Sequence, residues 1–140
     1  MANVQFQKFT RSTREKIFEV ATNYESFQTL MPQFFSSIRI ISVRPNTTLV
    51  EEHLKLGGKE LIVMAKHVTD APKIHETFFV GGDAKGTHII EKYEQTPKGT
   101  KIFFKMDFKE SILLRGISRK NKFEDEFSNI LDKLIDIAEN

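Results

Sequence analysis

Apolar and polar residues alternate along most of this chain, and two segments follow a helical period instead. Val4 and Phe6 open the first alternating run, and residues 38–108 hold six more runs separated by turn-forming residues. Apolar residues recur at helical spacing over 17–27 and again over 123–138. The order is therefore a strand, a helical segment, six strands and one long helix. This order predicts a curved antiparallel sheet laid against a helix, with an apolar space between them.

The first helical segment is predicted to be a bent pair of helices. Ser12 and Glu15 have the spacing of a capping box, which places the helix start there. Pro32 must interrupt the helix, because proline lacks an N–H and disfavours helical geometry in the residue before it. Phe34 and Phe35 predict a second, short apolar turn of helix beyond that break.

Four turns fix a predicted register for the sheet. Their positions are Gly57-Gly58, Thr69–Pro72, Gly82–Lys85 and Thr96–Gly99. Counting back from them gives these opposed pairs: Leu54 with Leu61, Glu52 with Val63, Val50 with Ala65, Ala65 with Glu76, Val63 with Phe78, Glu76 with Glu91, Glu91 with Phe104, and Ile89 with Met106. Opposed residues share a face, so all of these side chains are predicted on one face. A slip of one residue at any turn would reverse a strand.

That face is predicted to be the inner wall of a ligand cavity. It is apolar apart from a few carboxylates, a histidine and a tyrosine, and the C-terminal helix, predicted to begin near Ser118 and to run about 22 residues, covers it. The candidate ligand-binding residues are Glu52, Val63, His67, Glu76, Phe78, Glu91, Tyr93, Phe104, Met106, Phe108, Phe127 and Leu131.

The outer face is predicted to be mixed, with apolar side chains among lysines and histidines. The apolar ones are Ile62, Met64, Phe79, Ile90 and Phe103. We interpret them as ordinary surface residues, since isolated apolar groups are common on protein surfaces. The alternative is a contact surface for a protein partner or a weak homodimer.

Composition narrows the class of protein. A chain of 140 residues is expected to form one domain over 1–140, and a formal net charge of +2 gives no electrostatic footprint for nucleic acid. The chain has no cysteine, which fits a reducing compartment and excludes thiolate chemistry. No secretory leader or membrane-spanning run is recognisable at the sequence level, so a cytoplasmic location is expected.

The candidate chemistry is limited to the polar residues of the predicted cavity. Glu76 and Glu91 as neighbours would raise one pKa and supply an acid–base group, but contact with ligand or water, or pairing with Arg115 or Arg119, is the preferred interpretation. The histidines lack metal-ligand spacing, and His67 is predicted on the opposite face from the other three. No metal, no cofactor and no catalytic residue is predicted.

The segment Ile17-Phe18-Glu19-Val20-Ala21-Thr22-Asn23-Tyr24-Glu25-Ser26-Phe27, followed by Leu30-Met31-Pro32, resembles the opening helices of the START-like (SRPBCC) superfamily. The resemblance extends over the chain in element order, and it is most like the polyketide cyclase/dehydrase and coenzyme-Q-binding branch. It implies an α+β helix-grip fold of order β-α-α-β6-α, in which a seven-stranded curved antiparallel sheet wraps around a long C-terminal helix. It also implies an internal cavity for lipids, quinones or polyketides.

Three functions follow as hypotheses. The first is a binding or carrier protein for a hydrophobic small molecule such as a lipid, quinone or polyketide, which needs no catalytic motif. The second is a cyclase-like or dehydrase-like enzyme that uses the cavity carboxylates as acid and base. The third is a protein-interaction module acting through the outer face, analogous to superfamily members implicated in ribosome association.

Overall fold

The computed structural model describes residues 2–109 and 120–140. The elements in chain order are β1 Ala2–Thr10, α1 Arg14–Ala21, a 3₁₀ turn Tyr24–Ser26, α2 Phe27–Leu30, β2 Phe35–Arg44, β3 Thr47–Leu56, β4 Lys59–Asp70, β5 Ile74–Gly82, β6 His88–Thr96, β7 Gly99–Phe108 and α3 Lys120–Glu139. The predicted order of one strand, two short helices, six strands and a long helix is confirmed.

The strands form one antiparallel seven-stranded sheet in the order β1-β7-β6-β5-β4-β3-β2. Sequential strands from β2 to β7 are neighbours, and β1 joins the far edge by pairing with β7. Irregular pairing in β2 and between Met64 and Ala65 of β4 bends the sheet, because a bulge increases local twist. This curvature lets the inner face wrap around α1 and α3.

The start of α1 differs from the predicted capping box. Thr13, one residue later, is the N-cap, and its hydroxyl accepts a hydrogen bond from the Lys16 N–H at 3.2 Å. The Ser12 hydroxyl donates instead to the Thr13 carbonyl. Ser12 is turned away from the helix because its own N–H is held by the Thr10 hydroxyl at 3.1 Å.

The predicted helical turn at Phe34 and Phe35 is also wrong. The second helix, α2, precedes Pro32 and ends at Leu30, and Phe35 is the first residue of β2, where it pairs with Leu54. Its ring lies 5.1 Å from the ring of Phe27. Burial of that ring against α2 therefore overrides the local apolar pattern.

Two of the predicted hairpin registers are confirmed. Leu54 is opposite Leu61 around Gly57-Gly58, and Glu91 is opposite Phe104 around the β6–β7 turn. That second turn has two residues between Thr96 and Gly99 where four were expected. Both lengths are even, so the faces of β6 and β7 were predicted correctly.

β5 was predicted with the wrong face inward. β4 continues to Asp70, which pairs with Ile74 across the three-residue turn 71–73, whereas a four-residue loop was expected. Ala65 therefore opposes Phe79 rather than Glu76. An odd loop in place of an even one reverses the whole strand, because side chains alternate between faces.

The pairing between β5 and β6 is also shifted by one residue from the prediction, and this second error cancels the first. Glu76 pairs with Ile90 and not with Glu91, so β6 regains its predicted orientation. On β5, the inward residues are His75, Thr77 and Phe79, which are buried. Glu76 and Phe78 lie on the outer face, which contradicts their predicted place in the cavity.

The helix α3 closes the inner face with the predicted apolar stripe. The buried members are Phe123, Phe127, Ile130, Leu131, Leu134 and Ala138. Polar contacts hold its ends and middle: Glu126 accepts from the Gly57 N–H, Lys8 pairs with Asp132 at 2.9 Å, and Glu139 accepts from the Thr10 hydroxyl at 2.7 Å and from Arg11. The predicted start near Ser118 lies outside the described residues.

Candidate functional site

A chain of four buried side chains runs across the inner face. It consists of Glu52 on β3, His67 on β4, His75 on β5 and Glu91 on β6, one from each of four adjacent strands. Glu52 Oε2 lies 2.6 Å from His67 Nε2, His67 Nδ1 lies 2.9 Å from His75 Nε2, and His75 Nδ1 lies 3.1 Å from Glu91 Oε1. We call these four residues the inner network.

The register explains why these groups meet. His75 and Glu91 are directly opposed across β5 and β6, and His67 is directly opposed to Thr77 across β4 and β5. The Thr77 hydroxyl lies 3.1 Å from His67 Nδ1 and 3.5 Å from His75 Nε2. Glu52 completes the chain from the next strand along.

Both tyrosines of the chain support the inner network. The Tyr93 hydroxyl donates to Glu91 Oε1 at 2.5 Å, and the Tyr24 hydroxyl lies 3.3 Å from His75 Nε2. The Tyr24 ring stacks on the His67 ring at a centroid distance of 4.0 Å. The 3₁₀ turn after α1 therefore packs Tyr24 against the two imidazoles and helps to fix their orientation.

The inner network forms one wall of a small cavity between the sheet, α1, α2 and α3. The described residues bound a volume of about 60 Å³. The polar part of the lining is Glu52, His67, His75, Thr77 and Glu91, and the apolar part is Ala21, Phe27, Phe35, Leu54, Phe79, Ile89, Phe104, Phe127, Ile130, Leu131 and Leu134.

Larger hollows lie at the surface. One of about 270 Å³ lies at the rim of the sheet beside Arg44, Thr48 and Thr69, and its floor includes Tyr24 and His67. Another of about 280 Å³ lies on the outer face around Ile90 and Phe103. They exceed the inner cavity in volume, but the inner cavity alone among the three brings the whole inner network to its wall.

Burial and neighbouring charges shift the pKa values of His67, Glu91 and the two tyrosines. Burial lowers the pKa of His67 below its ordinary value, against the opposing effect of the Glu52 carboxylate. Burial alone would raise the pKa of Glu91, but His75, the Tyr93 hydroxyl and His67 together hold it below its ordinary value. Burial and the nearby Glu91 raise the pKa values of both tyrosines, so their hydroxyls stay protonated and act as donors.

These shifts predict that acid destabilises the protein. An unfolded His67 binds a proton near pH 6.5 whereas the folded one resists it, so the free energy of unfolding falls as the pH drops below 6.5. The lowered pKa of Glu91 extends the loss below 4.5, where the unfolded carboxylate becomes protonated first. Urea unfolding between about pH 7 and about pH 4 measures this slope.

Two histidine variants test whether His67 causes this dependence of the free energy of unfolding on pH. His67→Gln should flatten it between 6.5 and 4.5, since that variant has no buried imidazole to protonate at this position. His53→Gln, on the partly exposed outer side of β3, should retain it. An unchanged slope in His67→Gln would contradict the assignment.

The structure sorts the predicted site residues into three groups. Those lining the cavity are Glu52, His67, Glu91, Phe104, Phe127 and Leu131. Those buried on the inner face but outside the cavity lining are Val63, Tyr93, Met106 and Phe108. Those on the outer face are Glu76 and Phe78, which contact His88 through a 2.8 Å hydrogen bond and a ring stack at 4.6 Å.

Sequence reasoning missed Tyr24, His75 and Thr77. His75 and Thr77 were excluded by the reversed β5, and the prediction that His75 and His67 lie on opposite faces is wrong. Pro72 was the available signal, since a tight three-residue turn around it would have reversed the strand. The predicted partners Arg115 and Arg119 lie outside the described residues.

Residues 2–109 and 120–140 contain neither a metal-binding cluster nor a membrane-spanning helix. Within these ranges no group of three or more metal-ligating side chains is arranged to hold a metal ion. None of the helices there is both long and apolar enough to cross a bilayer.

Solved structures with the same architecture span this chain almost completely. The protein TTHA0849 from Thermus thermophilus superposes with a TM-score of 0.84 at 13% identity, covering 98% of this chain and 97% of that one. The chain has the START-like helix-grip fold. The Zhui aromatase/cyclase from Streptomyces sp. R1128 gives a TM-score of 0.76 at 11% identity, covering 99% and 93%, and the major latex-like protein 151 from Panax ginseng gives 0.78 at 11%, covering 98% and 97%.

Sequence comparisons add nothing to this assignment. No family model matches the chain, and no curated protein matches it. At these low identities the START-like likeness establishes the fold, and the cyclase and quinone-binding branch stays a prediction.

Proposed function

We propose that this START-like protein binds a small molecule with an apolar body and one polar group in the cavity between the sheet and α3. The observation that carries the proposal is that the inner network opens onto an apolar cavity instead of being enclosed by other polar groups. Ligand sites are typically apolar concavities with a few converging polar groups. Fold neighbours with cyclase activity in their names are consistent with such a site.

The described cavity must widen to hold a lipid, quinone or polyketide. Sites for such ligands enclose about 300–1,000 Å³, several times the volume found here. Because α3 contributes Phe127, Ile130, Leu131 and Leu134 to the lining, displacement of this helix from the sheet widens the cavity.

A panel of apolar compounds tests this proposal. A ligand at 100 times its dissociation constant should raise the free energy of unfolding by about 2.7 kcal/mol. The same ligand should change the tyrosine fluorescence, since the chain has no tryptophan and both tyrosines contact the inner network. Native mass spectrometry of protein from its own source identifies a co-purifying compound. If no panel compound stabilises the protein and none co-purifies, the proposal is wrong.

Two variants locate the bound compound. Ala21→Leu places a larger side chain in the inner cavity and reduces its free volume. It should weaken binding, because Ala21 is buried in the cavity lining. Phe103→Ser alters the outer hollow and should leave binding unchanged. The opposite pattern would move the site to the outer face and favour the protein-interaction hypothesis.

Acid–base catalysis is the second candidate, and the inner network favours it. Two imidazoles bracketed by carboxylates form a continuous hydrogen-bonded path along which a proton can shift. A cyclase or dehydrase requires such proton transfer to and from a bound chain. With a polyketide-like substrate, Glu91→Gln should abolish turnover in an enzyme, whereas in a carrier it should alter the affinity alone.

A further inference from the structure

The hydrogen-bond geometry of the inner network determines its charge. Three contacts link its members, namely Glu52 to His67, His67 to His75, and His75 to Glu91, and each is short enough for a hydrogen bond. Each contact joins two atoms that can both act as acceptors. A hydrogen bond therefore forms only when one proton lies between them.

Counting protons gives the total charge. Without any protons on these atoms, two carboxylates and two imidazolates carry a charge of −4, and one proton in each of the three contacts leaves −1. This total is the same whichever atom of each pair holds the proton. Tyr24, Thr77 and Tyr93 also contact the inner network through their hydroxyls, which are neutral and leave the total unchanged.

The described wall supplies no positive charge to balance it. No lysine or arginine is among the cavity-lining residues in the ranges 2–109 and 120–140. A negative charge in an apolar surrounding is costly, so a cation that reaches the cavity is stabilised by the inner network. The rings of Phe79, Phe104 and Phe127 line the same cavity, and aromatic faces also attract cations.

We propose that the ligand of this cavity is an apolar amine, bound as its ammonium ion against a carboxylate of the inner network. This inference rests on the proposed function and specifies its ligand class. The amine donates hydrogen bonds to Glu52 or to Glu91, while its hydrocarbon part contacts the aromatic side of the lining. An apolar carboxylic acid is disfavoured, because its anion would add a second negative charge beside the first.

Three small probes with one aromatic ring test the head-group preference on the unaltered protein. They are benzylamine, benzyl alcohol and benzoate, compared at neutral pH by calorimetry and by chemical-shift changes of the two tyrosine rings. The expected order of affinity is amine, then alcohol, then acid, with at least about a tenfold separation between amine and acid. Raising the salt concentration should alter this order little, because a buried charge is poorly screened.

Variants of the carboxylates assign the preference to the inner network. Glu52→Gln and Glu91→Gln should each reduce the amine-to-acid ratio about tenfold or more. Glu76→Gln is the matched control, because that glutamate pairs with His88 on the outer face. It should retain the full preference.

The outcomes separate this inference from the proposed function. Equal binding of the three probes, or tightest binding of benzoate, overturns the amine assignment while leaving a binding role intact. Binding of none of them overturns the amine assignment as well, and a panel without any other apolar binder then overturns the proposed function too. An unchanged preference in both carboxylate variants also overturns the assignment, even if the wild-type order is as expected.

Discussion

Replacing Glu91 with alanine should lower the free energy of unfolding by about 3–5 kcal/mol, the usual cost of breaking a buried ion pair by removing one partner. Glu91 accepts hydrogen bonds from His75 and from the Tyr93 hydroxyl, and all three groups are buried. Its loss leaves two donors without an acceptor in an apolar surrounding. Urea unfolding at neutral pH measures the change, which is a large fraction of a typical stability of about 5–15 kcal/mol.

Two comparisons make this expectation specific. Glu76→Ala removes a hydrogen bond to His88, in a pair whose side chains are about one-third exposed, and it should cost under about 1 kcal/mol. Glu91→Gln retains an acceptor oxygen and should fall between the two. Equal losses in Glu91→Ala and Glu76→Ala would show that the inner network contributes no more to stability than an outer-face pair.

Phe127→Ala should likewise destabilise the protein by about 3–5 kcal/mol, and it should create a cavity that binds benzene. Phe127 lies on α3 with its ring 5.7 Å from that of Phe104. It lines both the inner cavity and a neighbouring void of about 10 Å³. Removing its ring joins these spaces, and the added volume lies on the apolar side of the lining. Unfolding measurements with and without benzene test both effects.

The benzene effect distinguishes a new cavity from general loosening. At 100 times its dissociation constant, benzene should restore about 2.7 kcal/mol to Phe127→Ala and give a much smaller gain to the unaltered protein. Phe9→Ala is the control, since Phe9 is 50% exposed on the outer side of β1 and should change stability by under about 0.5 kcal/mol. A destabilised Phe127→Ala that gains nothing from benzene would mean that α3 collapses into the space.

The sequence was sufficient for the architecture because each element has a strong local signal. The stripe from Phe123 to Ala138 can be buried only as a helix face, and the Gly57-Gly58 turn fixes its hairpin without help from distant residues. Helix boundaries were less certain. Phe35 belongs to β2 because of a contact with Phe27 that local periodicity does not encode.

The candidate site was only partly predictable, since it depends on residues from four strands meeting in register. Glu52 and His67 were identified because the Gly57-Gly58 turn between their strands has an even length. Glu91 was identified because the two register errors on either side of β5 cancel. His75 was missed because one odd-length turn reverses β5, and the pattern of β5 alone fits either face. Tyr24 was missed because its contact with His75 spans 51 residues of sequence.

The turn between β4 and β5 gives this sheet two alternative sets of wall residues. Inserting or deleting one residue within 71–73, with a compensating one-residue change between β5 and β6, would exchange His75, Thr77 and Phe79 on the inner face for Glu76 and Phe78 without substituting any strand residue. Proteins of this fold can thus acquire a different binding specificity through a change in loop length. Homologues should therefore be compared by the length of this turn before their cavity residues are aligned.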